Sequence, residues 1–316
     1  MEPVTHALAG LAIAGFSGQG FSLTNFIYLS SLCGALAPDL DIVLQFKGHI
    51  PYLRYHRGPS HSVPGLFFSA LAVTLCLGYW FPEYRRVTLF FWAMSGALSH
   101  SLLDSLNSHG AKLFWPINNC HITFNLLTIF DPVLFMVLLG VIVGQTHQWP
   151  FIPMVFIALL VLYLGARWVM SRHIRHFLRQ YFAANVVEKI IVLPAMMSLW
   201  NWFVLVETPA SFIAGEVRYF SLALRVWHHL IKQSPTPLVK LALDSKLGRL
   251  FTEFTPIFHV FYQRQGGRNV VRFLDLRYYS QDSFLHSATL IFDRKQQPLE
   301  GLFHPYNSKR KVKVVI

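Results

Sequence analysis

The sequence predicts an α-helical membrane protein of about six membrane helices, with a β-rich cytoplasmic domain at its C-terminal end. Three observations predict it. The chain has 316 residues and is 53% hydrophobic but only 13% charged, against roughly 25% charged in a soluble domain. Residues 1–166 carry six of the Lys and Arg residues and 167–316 the other 21. Near residue 180 the pattern changes from long apolar runs to short β-branched and aromatic segments. The predicted division is a membrane-embedded helical domain over 1–172 and a β-rich cytoplasmic domain over 173–316.

Apolar runs recur at 4–18, 23–46, 62–81, 87–106, 124–144 and 150–170. A helix needs about 20 residues to cross the hydrocarbon. Four runs meet that easily; the first is short and the second is interrupted at Pro38. With an inside N-terminus, the inner loops carry Lys47, Arg54, Arg57, Lys112, Arg167, Arg172, Arg175 and Arg179, and the outer loops only Arg85 and Arg86. Lys and Arg accumulate in cytoplasmic loops. Both termini are therefore expected inside.

Beyond residue 180, the segments 187–193, 200–206, 212–220, 257–264, 270–279 and 285–293 read as strands, with a hairpin turn at 265–268 and a helix near 237–251. Residues 190–206 are apolar, but Pro194, Asn201 and their strand-like composition argue against a seventh span.

A net charge of +12 raises nucleic acid as a partner. No recognition motif accompanies it, and basic residues beside membrane helices are accounted for by topology and anionic lipid. No nucleic acid is expected. Cys33, Cys76 and Cys120 are far apart and suggest neither a disulfide framework nor a zinc knuckle. The N-terminus has Glu2 and His6 where a signal peptide has a basic region, so it reads as retained.

The chemistry lies in polar residues within the apolar half. Its acidic residues are Glu2, Asp39, Asp41, Glu83, Asp104 and Asp131, and four of these lie in or beside apolar helices. An ionisable group there costs about 2.5–3.5 kcal/mol on insertion scales and points to function. His6, Asp39 with Asp41, His56 through His61, His100 with Asp104, and Asp131 all fall toward the inner face under an orientation fixed by Lys and Arg alone. His100 and Asp104 are four apart and share a helix face. Pro38 bends or restarts its helix beside Asp39 and Asp41. Gly58-Pro59 makes a tight turn that lets His56 and His61 face one centre. A mixed imidazole and carboxylate set suits zinc, manganese or iron better than magnesium or calcium. Taken singly, His6 reads as an interfacial histidine and Asp131 as a helix cap or a partner of Arg57; their convergence makes a metal site.

Thr5-His6, Ala37-Pro38-Asp39-Leu40-Asp41, His56-Arg57-Gly58-Pro59-Ser60-His61-Ser62, His100 with Asp104, and Asp131-Pro132 together resemble the YdjM-type family of membrane-bound metal-dependent hydrolases. The resemblance covers residues 1 to about 170, and the strand-rich tail is similar to that of some members. The His-x-x-x-Asp element also resembles the zinc-dependent phospholipase C superfamily, which implies a helical core and phosphoester hydrolysis. His109 stands where the pattern has a tyrosine.

These readings give His6, Asp39, His56, His61, His100 and Asp104 as metal ligands, zinc being the first candidate. Asp41 and Asp131 are expected as ligands, orienting groups or a general base. Arg57 and Ser60 are expected to hold a phosphate. The expected function is hydrolysis of a phospholipid-like phosphoester at the inner membrane surface, by water that the metal activates. The alternative is a non-enzymatic membrane scaffold with a structural metal, whose 173–316 domain docks a cytosolic protein. A transporter ranks last, because the charged groups gather at one end rather than at mid-membrane.

Overall fold

The computed structural model describes residues 1–47, 57–149, 151–195, 198–234, 236–255, 257–277, 279–280, 283–293, 295–305 and 311–314. The chain forms two compact units, Met1–Ser171 and Arg172–Ile316.

The first unit is helical. Its helices are α1 (Pro3–Ala14), α2 (Phe26–Leu36), α3 (Val63–Trp80), α4 (Arg86–Leu106), α5 (Pro132–Thr146) and the part of α6 (Ile152–Tyr181) up to Ser171. A 3-10 segment, Ala37–Lys47, continues α2 past Pro38, whose missing N–H cannot extend the regular ladder. Each apolar run therefore contributes a helix, but among the described residues only three stretches are long and apolar enough to cross a membrane: Phe26–Phe46, Val63–Trp80 and Ile152–Tyr181. Of the six membrane helices expected, these three have the length and composition to span by themselves. Pro3–Ala14 has 12 residues and Pro132–Thr146 has 15. At 1.5 Å per residue these cover about 18 and 22 Å of a hydrocarbon layer roughly 30 Å thick. Arg86–Leu106 has the length, at 21 residues, but serines, His100 and Asp104 lower its hydropathy. The fifth run, expected from 124, becomes helical only at Pro132, where Asp131 caps it.

Small residues set how closely these helices approach. At Gly34 of α2, an added Cβ would lie 2.0 Å from the Ala93 carbonyl oxygen of α4; at Gly96 of α4 it would lie 2.0 Å from the Ser31 carbonyl oxygen of α2. Lipid tails are as apolar as leucine, so helices in a bilayer associate largely through such close packing. Ala35, Ala93 and Ala97 complete the seam and are fully buried. On the far side, α1 packs Ala9 and Ala12 against Leu134, Leu138 and Val141 of α5 and against Leu126 and Leu127. Large apolar side chains face outward on α3 (Phe67, Phe68, Leu75) and α6 (Met154, Val161, Leu162), as lipid-facing surfaces do.

The second unit is β-rich. Strands β1 (Lys189–Pro194), β2 (Asn201–Glu207), β3 (Ser211–Arg218) and β4 (Ala223–Ile231) form an antiparallel sheet in that order. A second sheet has the order β11-β10-β9-β6-β5, built from β5 (Phe258–Gln265), β6 (Arg268–Asp275), β9 (Ser287–Phe292), β10 (Pro298–His304) and β11 (Val312–Val314). A two-stranded ribbon pairs β7 (Tyr279–Ser280) with β8 (Ser283–Phe284). The β5–β6 hairpin turns at Gly266 and Gly267, both at positive φ (58° and 75°), as a two-residue type I′ turn requires. The helix expected near 237–251 is two helices, α7 (Pro237–Asp244) and α8 (Lys246–Phe254). Ser245 ends the first and caps the second through Gly248 N–H. Phe251 of α8 packs on Phe273 of β6, with ring centroids 5.5 Å apart. The described residues of 190–206 form most of β1 and β2 rather than a helix, with Trp202 fully buried. The sequence pattern missed β4, β8, β10 and β11: β8 has two residues, β4 is largely exposed, and β10 opens on Pro298.

Candidate metal centre

His100 is placed first by helix packing. The glycine seam brings α2 so close to α4 that the Ala35 carbonyl oxygen lies 2.6 Å from His100 Nδ1. A carbonyl only accepts, so Nδ1 carries the proton and the Nε2 lone pair points away from it. Nε2 lies 3.0 Å from His61 Nε2, 3.5 Å from Asp39 Oδ1 and 3.8 Å from Asp104 Oδ2 one turn along α4.

His61 is oriented by a relay. Ser60 Oγ donates to Asp41 Oδ2 at 3.0 Å, so it is free to accept from His61 Nδ1 at 2.9 Å. This sets the second imidazole as the first is set, with Nε2 a lone pair. That nitrogen lies 3.4 Å from Asp39 Oδ1 and 3.5 Å from Asp104 Oδ2. Asp41 also accepts from Arg57 N–H at 3.2 Å. Arg57 turns the backbone at a positive φ of 59°, uncommon for a residue with a Cβ. Its carbonyl then accepts from Lys112 N–H at 3.1 Å.

Asp104 is held from several sides. Arg57 Nε lies 3.2 Å from Oδ2, and Asn107 Nδ2 donates to Oδ1 at 3.2 Å. The Met1 amino group also contacts Oδ1. Asn107 Oδ1 accepts from Arg57 Nη1 at 3.1 Å, from His109 N–H at 2.8 Å and from Gly110 N–H at 3.3 Å. His6 stacks on His100, with ring centroids 3.6 Å apart, and its Nε2 lies 3.4 Å from Asp104 Oδ1. Neither ring nitrogen of His6 finds a hydrogen bond among the described residues, although both are buried.

Five distances among His61 Nε2, His100 Nε2, Asp39 Oδ1 and Asp104 Oδ2 thus fall between 3.0 and 3.8 Å. Four ligands held tetrahedrally at about 2.0–2.1 Å from one ion stand about 3.3 Å apart. Two lone-pair nitrogens and two carboxylate oxygens converging without a cation would repel; the arrangement fits a divalent ion. The ligand-bearing residues fall into two overlapping groups, His6 with Asp39 and His100, and His61 with His100 and Asp104. His6, His61, His100 and Asp104 are fully buried, whereas the Asp39 side chain keeps 20% exposure and so marks the open edge.

The structure therefore brings together five of the six expected ligands; the sixth, His56, lies outside the described residues. Asp41 and Ser60 orient His61. Arg57 and Ser60, expected to hold a phosphate, contact Asp104, Asn107, Asp41 and His61. Asp131 belongs to neither ligand group. It caps α5 through Val133 and Leu134 N–H (3.1 and 3.0 Å) and accepts from Tyr163 Oη at 2.8 Å. Sequence reasoning missed Asn107 and the Ala35 carbonyl. Asn107 had a signal, three residues beyond Asp104 at helical spacing; a backbone carbonyl has none.

Residues 1–174 match the family model of the YdjM inner membrane protein. The chain belongs to the YdjM inner membrane protein family. This membership, with its three long apolar helices, makes it a membrane protein. Residues 237–315 match the YfhP C-terminal alpha/beta plait domain, which takes in α7, α8 and the second sheet. The chain is 25% identical over 294 residues to the uncharacterized protein YfhP of Bacillus subtilis (strain 168), covering 90% of this chain and 89% of that protein. No solved structure matches.

Proposed function

We propose that this chain is a membrane-bound, metal-dependent hydrolase of phosphoesters at the inner surface of a bacterial cytoplasmic membrane. The convergence of His61, His100, Asp39 and Asp104 at ligand spacing carries this reading, with Asp39 as its one partly exposed member. An ion held there, zinc first and manganese or iron next, supplies a Lewis acid and a nucleophile from water at neutral pH.

The chain's own residues prepare the site. Ala35 and the Ser60–Asp41 pair keep both imidazole lone pairs turned inward. Arg57 and Asn107 hold the Asp104 carboxylate. The edge at Asp39 admits a phosphoester oxygen, and a site at the end of apolar helices meets lipid head groups first. The Lys and Arg asymmetry supports an orientation with both termini cytoplasmic. In it, α1 and α5, too short to cross alone, are held in the bilayer by the helices around them.

The test is metal analysis of the purified protein, wild type beside His100→Ala and Asp104→Ala, followed by release of head groups from phosphodiester and phosphomonoester lipids with and without chelator. Metal lost in both variants and chelator-sensitive release are expected. Equal metal content in all three proteins would remove the centre.

The deep burial of His6, His61, His100 and Asp104 favours a second reading. In it the ion is structural, its shell saturated, and residues 173–316 dock a cytosolic protein. Metal bound stoichiometrically with no hydrolysis of any lipid would select it.

A further inference from the structure

Between α4 and α5 the chain makes a 25-residue excursion, 107–131, with two isolated β-bridges, Asn107 to Leu127 and Ala111 to Ile122. Its base is fixed. Asn107 grips Asp104, Lys112 N–H donates to the Arg57 carbonyl, and the Leu113 carbonyl accepts from Val63 N–H at 2.9 Å. Phe124 N–H donates to the Ser105 carbonyl at 2.8 Å, and Thr123 Oγ1 to that of Asn107 at 2.5 Å. The excursion is thus rooted at the cluster's end of the helices.

Its outer part is of the opposite character. From 113 to 130 there is no Asp, Glu, Lys or Arg. Phe114, Ile117, Phe124, Ile129 and Phe130 are exposed, Ile117 to 95%. Chain loops that face water are polar, and an apolar patch of this kind marks an interaction surface. The partner is identified by continuity and charge. Leu98 and Leu102 are exposed on the end of α4 that leads into the excursion, and Met136 on the first turns of α5 that leave it. The exposed apolar surface therefore runs from the ends of α4 and α5 onto the loop. Half-buried Lys112 sits at the loop's base, where a cation meets anionic head groups. The segment also contains Trp115, a residue type enriched at membrane–water interfaces.

We infer that residues 113–130 are an interfacial insertion, seated in the boundary between head groups and acyl chains of the leaflet at the metal cluster's end. Lipid is its occupant. The insertion holds the cluster's opening at head-group depth, and it stands whether or not the chain hydrolyses anything.

The test uses the native Cys120, which is exposed and close to Ile117. The full chain carrying Cys33→Ser and Cys76→Ser is labelled with an environment-sensitive fluorophore at Cys120. A second protein carries the label at Ile117→Cys with all three cysteines replaced by Ser. Both are placed in nanodiscs of phosphatidylglycerol and phosphatidylethanolamine. The expected result is blue-shifted emission, quenched several-fold more by lipids spin-labelled near the head group than by aqueous iodide. Quenching by iodide alone would overturn the proposal, as would protection from both quenchers, which is the mark of a protein cover. A label retained only at Cys76, exposed on the outer face of α3, serves as reference. If that label also escapes lipid quenchers, the membrane placement of the helices fails, and not merely the loop. Monodisperse elution of each labelled protein confirms its folding.

Discussion

His61 and His100 face each other through their Nε2 atoms across 3.0 Å, and each has its Nδ1 engaged behind it. Two lone pairs so placed need a cation between them, either one shared proton or a metal ion. Asp39 and Asp104, within 3.8 Å of both nitrogens, add negative charge, so that the group could hold a metal ion.

The relay behind His61 gives a prediction that separates ligands from the residues that aim them. Ser60→Ala removes the hydroxyl between Asp41 and His61 Nδ1 without touching a ligand atom. Metal affinity should fall roughly 10- to 100-fold, as for other partners of metal-binding histidines, while Ser60→Thr restores it. Competition with a chelator of known affinity measures this. Equal affinity in all three proteins would show that the relay is incidental.

Asp131 should behave in the opposite way. Asp131→Ala removes the N-cap of α5 and the acceptor of Tyr163. A lost cap costs about 1 kcal/mol. Stability in detergent should therefore drop while the metal content per chain stays at the wild-type level. Loss of metal in this variant would place Asp131 in the centre after all.

The glycine seam is the third point of leverage. Gly34→Ala and Gly96→Ala each put a Cβ 2.0 Å from a backbone oxygen of the facing helix. Overpacking of this kind costs about 1–3 kcal/mol, and parting α2 from α4 also breaks the bond from His100 Nδ1 to Ala35. Both variants should lose metal as well as stability, although neither residue carries a ligand atom. Metal analysis alongside denaturant unfolding checks the pairing.

The β-rich unit carries its own pH dependence. Burial holds the His286 imidazole below its ordinary value of 6.5, and the neighbouring Arg277 adds to this while Asp275 opposes it. Burial and Lys232 do the same at His259. Because the folded imidazoles resist protonation, the unfolded chain binds more protons between the folded and unfolded pKa values. Stability is then complete above about pH 6.5 and is lost as pH falls below it. Protection of the β5, β6 and β9 amides, measured against their intrinsic exchange rates at each pH, should fall on acidification, and less so in His286→Gln. An unchanged profile in that variant would exclude its contribution.

Much of this was legible in the order of residues because the physics behind it is local. Apolar run lengths located six helices. The i, i+4 spacing put His100 and Asp104 on one face, and Gly266-Gly267 announced a hairpin through its positive φ. Convergence of charged groups in an apolar setting pointed to a metal, since carboxylates and imidazoles are expensive there unless they meet. Packing decided the remainder. Whether a short helix crosses the bilayer or merely packs within it depends on its neighbours, and a run of apolar residues reads the same in both cases. Arg57 reads as an anion grip by its chemistry, and only the fold shows that its Nε lies 3.2 Å from Asp104. The tautomer of His100 rests on the Ala35 carbonyl, 65 residues away. Every residue has such a carbonyl, and only the closeness that Gly34 and Gly96 permit brought this one within reach.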